Sequence, residues 1–471
     1  MNKIKQFFKT AFIYFVGSIM AKLISFLLLP LYTCYISPEK YGTFDLVLSL
    51  INLIGPLAFF QIWDGMFRYA FDYNDKNEKY VVINHALITF IFTIPVFIVL
   101  FLATYFYFGY QHIVYVLIYG FLFSLQYIYA YAARVFLNNR LFVFSGIANT
   151  VCSAILNIIL IIGFHWDIKS LYIAPAIGCL LQIIIIELKI GLCKHFSLKY
   201  IKIYKIKEMI FFSFPLCLAT ISYWLLSGLT KVMINKHLGS YENGLYAVSN
   251  RFAATIAIFV MVFQYAWNEL AYIMSDDETR TQKYNLFVNT IFNLVMVGSA
   301  IACLFIKIIF PYFIGKEYLE ALDILPAVLI GSTINSMAGL FGTLFMTEKK
   351  TGSIMISTFI AAFMNIIVSI LLIKVSMFSL QSSVVTLGIS FILLMWIRLK
   401  QFSNSFKIKL SLESLISVVP LILSIIIYYM IDNTYIYILI IILMIFYLII
   451  INKKIIFLLF EAYFDKETGK D

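Results

Sequence analysis

The chain has 471 residues, of which 62% are apolar and only 13% are charged, and its formal net charge is +11. A soluble fold could not cover that much apolar surface, whereas lipid can, so the composition excludes a water-soluble protein. We therefore predict an all-α polytopic membrane protein.

Runs of about 20 apolar residues are long enough to cross the hydrocarbon core of a bilayer as helices. Such runs, read between polar turns, predict about fourteen transmembrane helices. In chain order they cover residues 10–34, 43–67, 81–108, 113–133, 141–164, 171–190, 209–235, 245–272, 285–310, 321–346, 352–373, 380–399, 411–431 and 434–451.

The distribution of Lys and Arg predicts the orientation of these helices. With a cytoplasmic N-terminus, the inside segments carry 26 of the 35 basic residues and the outside segments carry 6. Cytoplasmic loops of membrane proteins are enriched in Lys and Arg, so both termini are predicted to be cytoplasmic. The topology accounts for the positive charge, and no nucleic-acid partner is needed.

Two segments of the chain, residues 31–72 and 233–276, are similar to each other. In each, an apolar run ends in a polar turn that closes on a glycine (Gly42, Gly244), and a Trp follows near the far end (Trp63, Trp267). The copies are offset by six predicted helices, from helices 1 and 2 to helices 7 and 8, and because six is an even number the repeats are parallel. A membrane protein with two similar halves is most often a transporter with its site between them.

The repeat predicts a division of the chain into two six-helix lobes. The N-lobe covers residues 1–192 and the C-lobe residues 209–400, joined by a basic cytoplasmic linker at 193–208. Residues 401–471 add two helices and a cytoplasmic tail. Asn157 and Asn365 occupy matching positions, each followed by Ile-Ile, which supports this register.

Three basic residues are assigned to neither side, because they lie inside predicted spans and away from the segments counted at the span ends: Lys22, Lys231 and Arg251. A charge at the bilayer centre costs roughly 2.5–3.5 kcal/mol on insertion scales, so it usually faces a cavity or a partner. Three cations and no fully buried acid predict a site for an anion, and a diphosphate fits it, since Arg and Lys both bind phosphate oxygens. The alternative is that each cation bonds backbone carbonyls or a nearby acid.

The acidic residues near the ends of predicted spans support less specific predictions of their roles. Asp64 and Arg68 are four residues apart at the cytoplasmic end of one helix, where they can form an ion pair or contact an entering headgroup. Glu269 is the best candidate if transport is coupled to H⁺ or Na⁺. Asp45 and Asp323 lie just within the periplasmic ends of their predicted spans and are expected to be solvated. The Cys and His residues lack metal-ligand spacing, so no metal or other cofactor is expected.

Several of these motifs resemble one family. They are Ser-Pro-Glu-Lys-Tyr-Gly-Thr-Phe (37–44), Gly65 with Arg68 and Tyr69, Gly-Lys-Glu-Tyr-Leu-Glu-Ala (315–321), and the Asn-Ile-Ile pair. The chain resembles polysaccharide-biosynthesis flippases, the Wzx-type O-antigen translocases of the multidrug/oligosaccharidyl-lipid/polysaccharide exporter superfamily. That superfamily also contains the lipid II flippases and the MATE efflux pumps.

The resemblance implies a MATE-like fold and a function. In such a fold the first helices of each lobe line a cleft, so Lys22 would face Lys231 and Arg251 across it and the three would form one anion cleft. The expected function is transfer of an undecaprenyl-diphosphate-linked oligosaccharide, for O-antigen of lipopolysaccharide or a similar polysaccharide, from the cytoplasmic to the periplasmic leaflet of the bacterial inner membrane. Such a protein is not an enzyme. The implied partners are the lipid-linked glycan, membrane lipids, a polysaccharide polymerase and a chain-length regulator. A cation-coupled drug antiporter and a membrane glycosyltransferase or polymerase remain as alternatives, and the glycan is left open.

Overall fold

The computed structural model describes residues 20, 22–199, 201–273, 280–347, 351–406 and 410–453. Within these residues the regular structure is helical. The α-helices are α1 Leu29–Tyr35, α2 Pro38–Ala58, α3 Ile62–Ala70, α4 Lys76–Phe108, α5 Ile113–Val135, α6 Asn139–Ile158, α7 Asp167–Ile190, α8 Ile203–His237, α9 Ser240–Ile273, α10 Arg280–Phe313, α11 Leu325–Thr347, α12 Thr351–Lys374, α13 Leu380–Phe406, α14 Leu412–Ile416, α15 Val418–Met430 and α16 Thr434–Ile451.

The structure confirms an all-α fold with many membrane spans. Thirteen helices in the described part of the chain are long and apolar enough to cross a membrane, and Lys22–Tyr35 forms a shorter apolar helix. That shorter helix is the described part of the first predicted span, which began at residue 10. The count of about fourteen spans therefore agrees with the structure over the residues it describes.

Local sequence signals explain where several helices begin and end. Helix α4 begins after Asp75, whose carboxylate accepts hydrogen bonds from the N–H groups of Asn77 and Glu78. It ends at Gly109, whose φ of 65° is the left-handed conformation typical of a residue that follows a helix. Helix α2 starts with Pro38, a position where the missing N–H costs no hydrogen bond.

The chain divides into two compact units, residues 1–247 and 248–471. In the first unit, α8 packs along α2 and α3, and α7 packs against α5 and α6. The boundary between units falls inside α9, a few residues after Gly244. The division into lobes at 1–192 and 209–400 stays a prediction of the sequence repeat.

In the second unit, the C-terminal helices α15 and α16 pack against α10, and α11 packs against α13. Lys307 of α10 anchors the C-terminal pair, because its ammonium donates to the Tyr428 carbonyl at 2.5 Å and lies 3.8 Å from the Asp432 carboxylate. The two extra helices are therefore an integral part of this unit.

Arg398 is a buried side chain that ties three helices of the second unit together. Its guanidinium donates to the carbonyl of Ala338 on α11 and to the hydroxyls of Ser357 and Thr358 on α12. The count of Lys and Arg assigns Arg398, at the end of the predicted span 380–399, to the cytoplasmic segment that follows. It instead lies inside α13 and is 6% exposed, because these acceptors replace water around its charge.

Candidate functional site

The two copies of the repeat touch each other at their glycines. A Cβ atom on Gly42 would lie 2.5 Å from the backbone nitrogen of Gly244, and one on Gly244 would lie 2.7 Å from the carbonyl carbon of Pro38. The Gly42 position is likewise closed by the carbonyl oxygen of Ser240. Only glycine, which has no side chain, allows two helix starts to approach this closely.

The contact is symmetric between the copies. Gly42 faces the residue four positions before Gly244, and Gly244 faces Pro38, the residue four positions before Gly42. The Asn243 side chain adds a hydrogen bond of 2.6 Å to the Gly42 carbonyl oxygen, and Asn243 is fully buried. The segment that is similar in the sequence is thus also the segment through which the copies pack.

A buried ion pair lies next to this glycine contact. The Lys231 ammonium of α8 lies 2.9 Å from Oδ1 and 2.8 Å from Oδ2 of Asp45 on α2. The side chains are 16% and 8% exposed. The expectation that Asp45 is solvated is therefore wrong, because the packing of α8 over α2 covers the carboxylate and supplies its counter-ion.

Further polar contacts continue along the α2–α8 interface. The indole N–H of Trp224 donates to the Ser49 carbonyl at 2.9 Å, and the Cys217 thiol lies 3.5 Å from the Pro56 carbonyl. The Pro56 carbonyl also accepts from the N–H of Gln61 at 2.9 Å, so the thiol is a second donor to it. Hydrogen bonds therefore link α8 to α2 over several turns.

The predicted span 43–67 is interrupted near its middle. Helix α2 ends at Ala58 and α3 begins at Ile62, and between them Phe60 and Gln61 adopt left-handed φ values of 52° and 49°. The Gln61 side chain accepts a hydrogen bond from the Thr220 hydroxyl of α8 at 3.0 Å. Discontinuous membrane helices expose backbone groups to a cavity and frequently border transport sites.

The corresponding part of the second copy differs. Helix α9 runs without interruption from Ser240 to Ile273. The break is thus a property of the first copy. Helix α2 ends two residues after Pro56, which has no N–H to donate to the helix and so permits a bend.

Asp64 and Arg68 lie together on α3 but have separate partners. The Asp64 carboxylate accepts from the Gln61 side-chain amide at 2.6 Å, whereas Arg68 pairs with Asp72 at 2.6 Å. Of the two predicted roles, the Asp64–Arg68 ion pair does not form in this structure. The reason is that Asp72 lies one turn further along the exposed face, where the long Arg side chain extends.

The remaining predicted site residues lie in different parts of the chain. Lys22 is an exposed residue of the first helical segment, and Arg251 is half-buried in α9 within the second unit. The side chain of Glu269 lies outside the described residues. The prediction that Lys22, Lys231 and Arg251 share one anion cleft stays a prediction.

The sequence alone did not predict the ion pair that Asp45 forms with Lys231 or the hydrogen bond that Trp224 makes across the α2–α8 interface. The available signal was the presence of an acid and a base, Asp45 and Lys231, at the same predicted depth in helices that belong to the repeat. That signal becomes specific only when the packing of α8 against α2 is known.

The helices, their number and the symmetric repeat define a multi-pass membrane protein with the fold of flippases and transporters. The sequence profile of the family described as polysaccharide biosynthesis protein matches residues 7–267. The match covers more than half of the chain, and the protein belongs to that family. No curated protein matches the sequence significantly.

Solved structures with the same fold include a flippase and drug transporters. The inward closed conformation of the lipid II flippase MurJ aligns with a TM-score of 0.62 at 17% identity, over 95% of this chain and 100% of the flippase. An inward-facing multidrug resistance MATE family transporter of the MOP superfamily aligns with a TM-score of 0.62 at 12% identity, over 82% and 94% of the two chains. An outward-facing conformation of a multidrug resistance MATE family transporter of the MOP superfamily aligns with a TM-score of 0.57 at 11% identity, over 84% and 94% of the two chains.

Proposed function

We propose that this protein translocates undecaprenyl-diphosphate-linked oligosaccharide repeat units, of O-antigen or a similar surface polysaccharide, from the cytoplasmic to the periplasmic leaflet. The observation that carries the proposal is the family match over residues 7–267, because a polysaccharide unit built on a lipid carrier has to be moved across the membrane by a transport protein. The proposed activity makes and breaks no covalent bond, so the protein is a transporter and not an enzyme.

The extent of the structural likeness supports a lipid-linked substrate over a small drug. The alignment with the lipid II flippase takes in 95% of this chain, whereas those with the MATE transporter structures take in 82% and 84%. An exporter of cationic drugs would also need an acid available to its substrate. The buried acid of the α2–α8 interface, Asp45, is already neutralised by Lys231.

In this proposal the substrate is held by its charged headgroup. Lys22 and Arg251 bind the diphosphate, the glycan occupies the cleft, and the polyprenyl tail remains in lipid. Charge-assisted hydrogen bonds from Lys and Arg to phosphate are among the strongest that a protein can offer. Lys231 is engaged by Asp45 in this conformation, so it becomes available to the substrate only if that pair opens.

Alternating access then involves the α2–α8 interface. The glycine contact and the Asp45–Lys231 pair close the end of the first unit that the charge distribution predicts to be periplasmic. Release of the glycan on that side requires these contacts to separate. The interruption at Phe60 and Gln61 supplies backbone torsions that can absorb such a movement.

The role of the cations is tested in reconstituted vesicles with a fluorescent polyprenyl-diphosphate glycan. Lys22→Ala and Arg251→Ala are each expected to lower the initial rate of flipping by roughly 10- to 100-fold, since a hydrogen bond to a charged group contributes about 1.5–3 kcal/mol. Lys374→Ala removes an exposed cation from the end of α12 and serves as the control, with an unchanged rate expected. Normal flipping by both variants would remove the cations from the mechanism.

The proposal also places the protein in the bacterial inner membrane with both termini in the cytoplasm, next to a polysaccharide polymerase and a chain-length regulator.

The orientation is tested in a cysteine-free variant of the full chain. A cysteine at Gln111 should react with a membrane-impermeant maleimide in cells whose outer membrane is permeable to the reagent. A cysteine at Lys194 should react only after the inner membrane is opened. Both residues are exposed, so the reverse pattern would invert the direction of transport.

A further inference from the structure

A polar cavity of about 710 Å³ lies at the end of the first unit that contains the starts of α2 and α9. Four separate segments line it: the first turn of α2, the loop from Phe108 to His112, the loop from His165 to Lys169, and the α8–α9 connection. Its volume is in the range of roughly 300–1,000 Å³ that small-molecule sites occupy. None of the predicted cations contributes to it.

The backbone around this cavity is strained. Among the described residues, seven non-glycine residues have left-handed φ values, and three of them line this cavity: His112 at 66°, His165 at 53° and Asp167 at 50°. Such conformations cost of order 1–3 kcal/mol each and cluster at functional sites. The two loops are therefore held in a specific shape that the helices alone do not require.

Several polar groups of the lining have no partner within the protein. Glu39, Gln111, His165 and the indole N–H of Trp166 make no side-chain hydrogen bond or ion pair with the residues that the structure describes. Trp166 is 42% exposed, and its ring centroid lies 6.0 Å from that of the Phe164 ring. The cavity thus offers an aromatic face beside exposed donors and acceptors that these residues do not use within the described protein.

The charges of the lining are balanced. Lys40 forms an ion pair with Asp167, and the remaining charged groups are Glu39 and Lys169. Burial and the nearby Lys169 ammonium lower the pKa of His112, so its imidazole is neutral at pH 7 and both donates and accepts hydrogen bonds. A phosphate site is favoured by an excess of cations, whereas the two lysines of this lining are matched by two carboxylates.

We propose that this cavity binds the sugar part of the transported molecule on the periplasmic side, an inference that rests on the proposed function. A neutral glycan presents hydroxyl groups that each donate and accept, which matches Glu39, Gln111 and the imidazoles. The apolar C–H face of a pyranose ring packs on the indole of Trp166. The site receives the glycan as the cleft opens, before the headgroup leaves its cations.

The inference is tested by binding of a lipid-free glycan to the full chain in lipid nanodiscs. The probe is the oligosaccharide released by mild acid hydrolysis from the surface polysaccharide of the producing strain, titrated by saturation-transfer NMR. Trp166→Ala is expected to weaken binding about tenfold, Glu39→Gln about fivefold, and Trp166→Phe little, because the ring face is kept. Trp396→Ala removes another exposed indole, outside the cavity, and should leave binding unchanged.

The outcomes separate this inference from the proposed function. If the wild type flips the lipid-linked glycan but does not bind the free glycan, or if Trp166→Ala binds it normally, the cavity is not a sugar site. In that case Trp166 is an interfacial aromatic that contacts lipid headgroups. Inorganic pyrophosphate is the second probe, and its binding with loss in Trp166→Ala would also overturn the inference. If flipping itself is absent, the proposed function fails first.

Discussion

Replacing Gly42 with alanine is expected to destabilise the protein by about 3 kcal/mol, near the upper end of the usual cost of overpacking. The new methyl group would fall 2.5 Å from the Gly244 nitrogen and still closer to the Ser240 carbonyl oxygen. Both obstacles are backbone atoms, which cannot rotate away as a side chain can. Thermal unfolding of the purified protein, followed by Trp fluorescence, measures the loss.

Two further variants show whether the effect comes from the contact. Gly244→Ala should destabilise by a similar amount, because its methyl group would meet the backbone of Pro38. Gly146→Ala has open space around the new methyl group and sits inside α6, so it should leave stability unchanged or raise it by about 0.5–1 kcal/mol. Equal melting temperatures for Gly42→Ala and Gly146→Ala would mean that the two copies do not pack through these residues.

Lys231→Met should destabilise the protein by about 3–5 kcal/mol, the cost of leaving one member of a buried ion pair without its partner. The Asp45 carboxylate would remain covered by α8 with no cation to compensate its charge. Unfolding in detergent, monitored by the same fluorescence signal, gives the difference in stability from the wild type.

The double variant Asp45→Asn with Lys231→Met tests the pair itself. Removing both charges eliminates the uncompensated carboxylate, so most of the lost stability should return. The exposed pair of Lys205 and Glu208 provides a reference, and Lys205→Met should cost less than about 1 kcal/mol. A double variant as unstable as Lys231→Met would show that the lysine acts through its packing and not through its charge.

Composition and apolar run length were sufficient to predict the helical architecture. Lipid imposes a length of about 20 residues on each span and requires every backbone group to be bonded within its helix, so the pattern has few alternatives. The repeat was also visible in the sequence, because it rests on residue identities such as Gly42 and Gly244 at matching distances from a Trp.

Pairings between distant segments were harder to predict. Asp45 and Lys231 are 186 positions apart, and each alone is compatible with solvent, lipid interface or a buried partner. The helix break is another example. Pro56 permits a bend, but the left-handed residues are Phe60 and Gln61 further along the chain. The hydrogen bond from Thr220 to the Gln61 side chain joins helices that only the packed fold brings together.

The reciprocal glycine contact limits how the two halves of this chain can diverge. Each glycine lies on the main chain of the opposite copy, so a side chain acquired at either position has no room whatever its chemistry. No compensating substitution in a neighbouring side chain can create that room. After an ancestral duplication, these two sites would have remained interdependent while the surrounding helices drifted apart, which explains why the resemblance survives there.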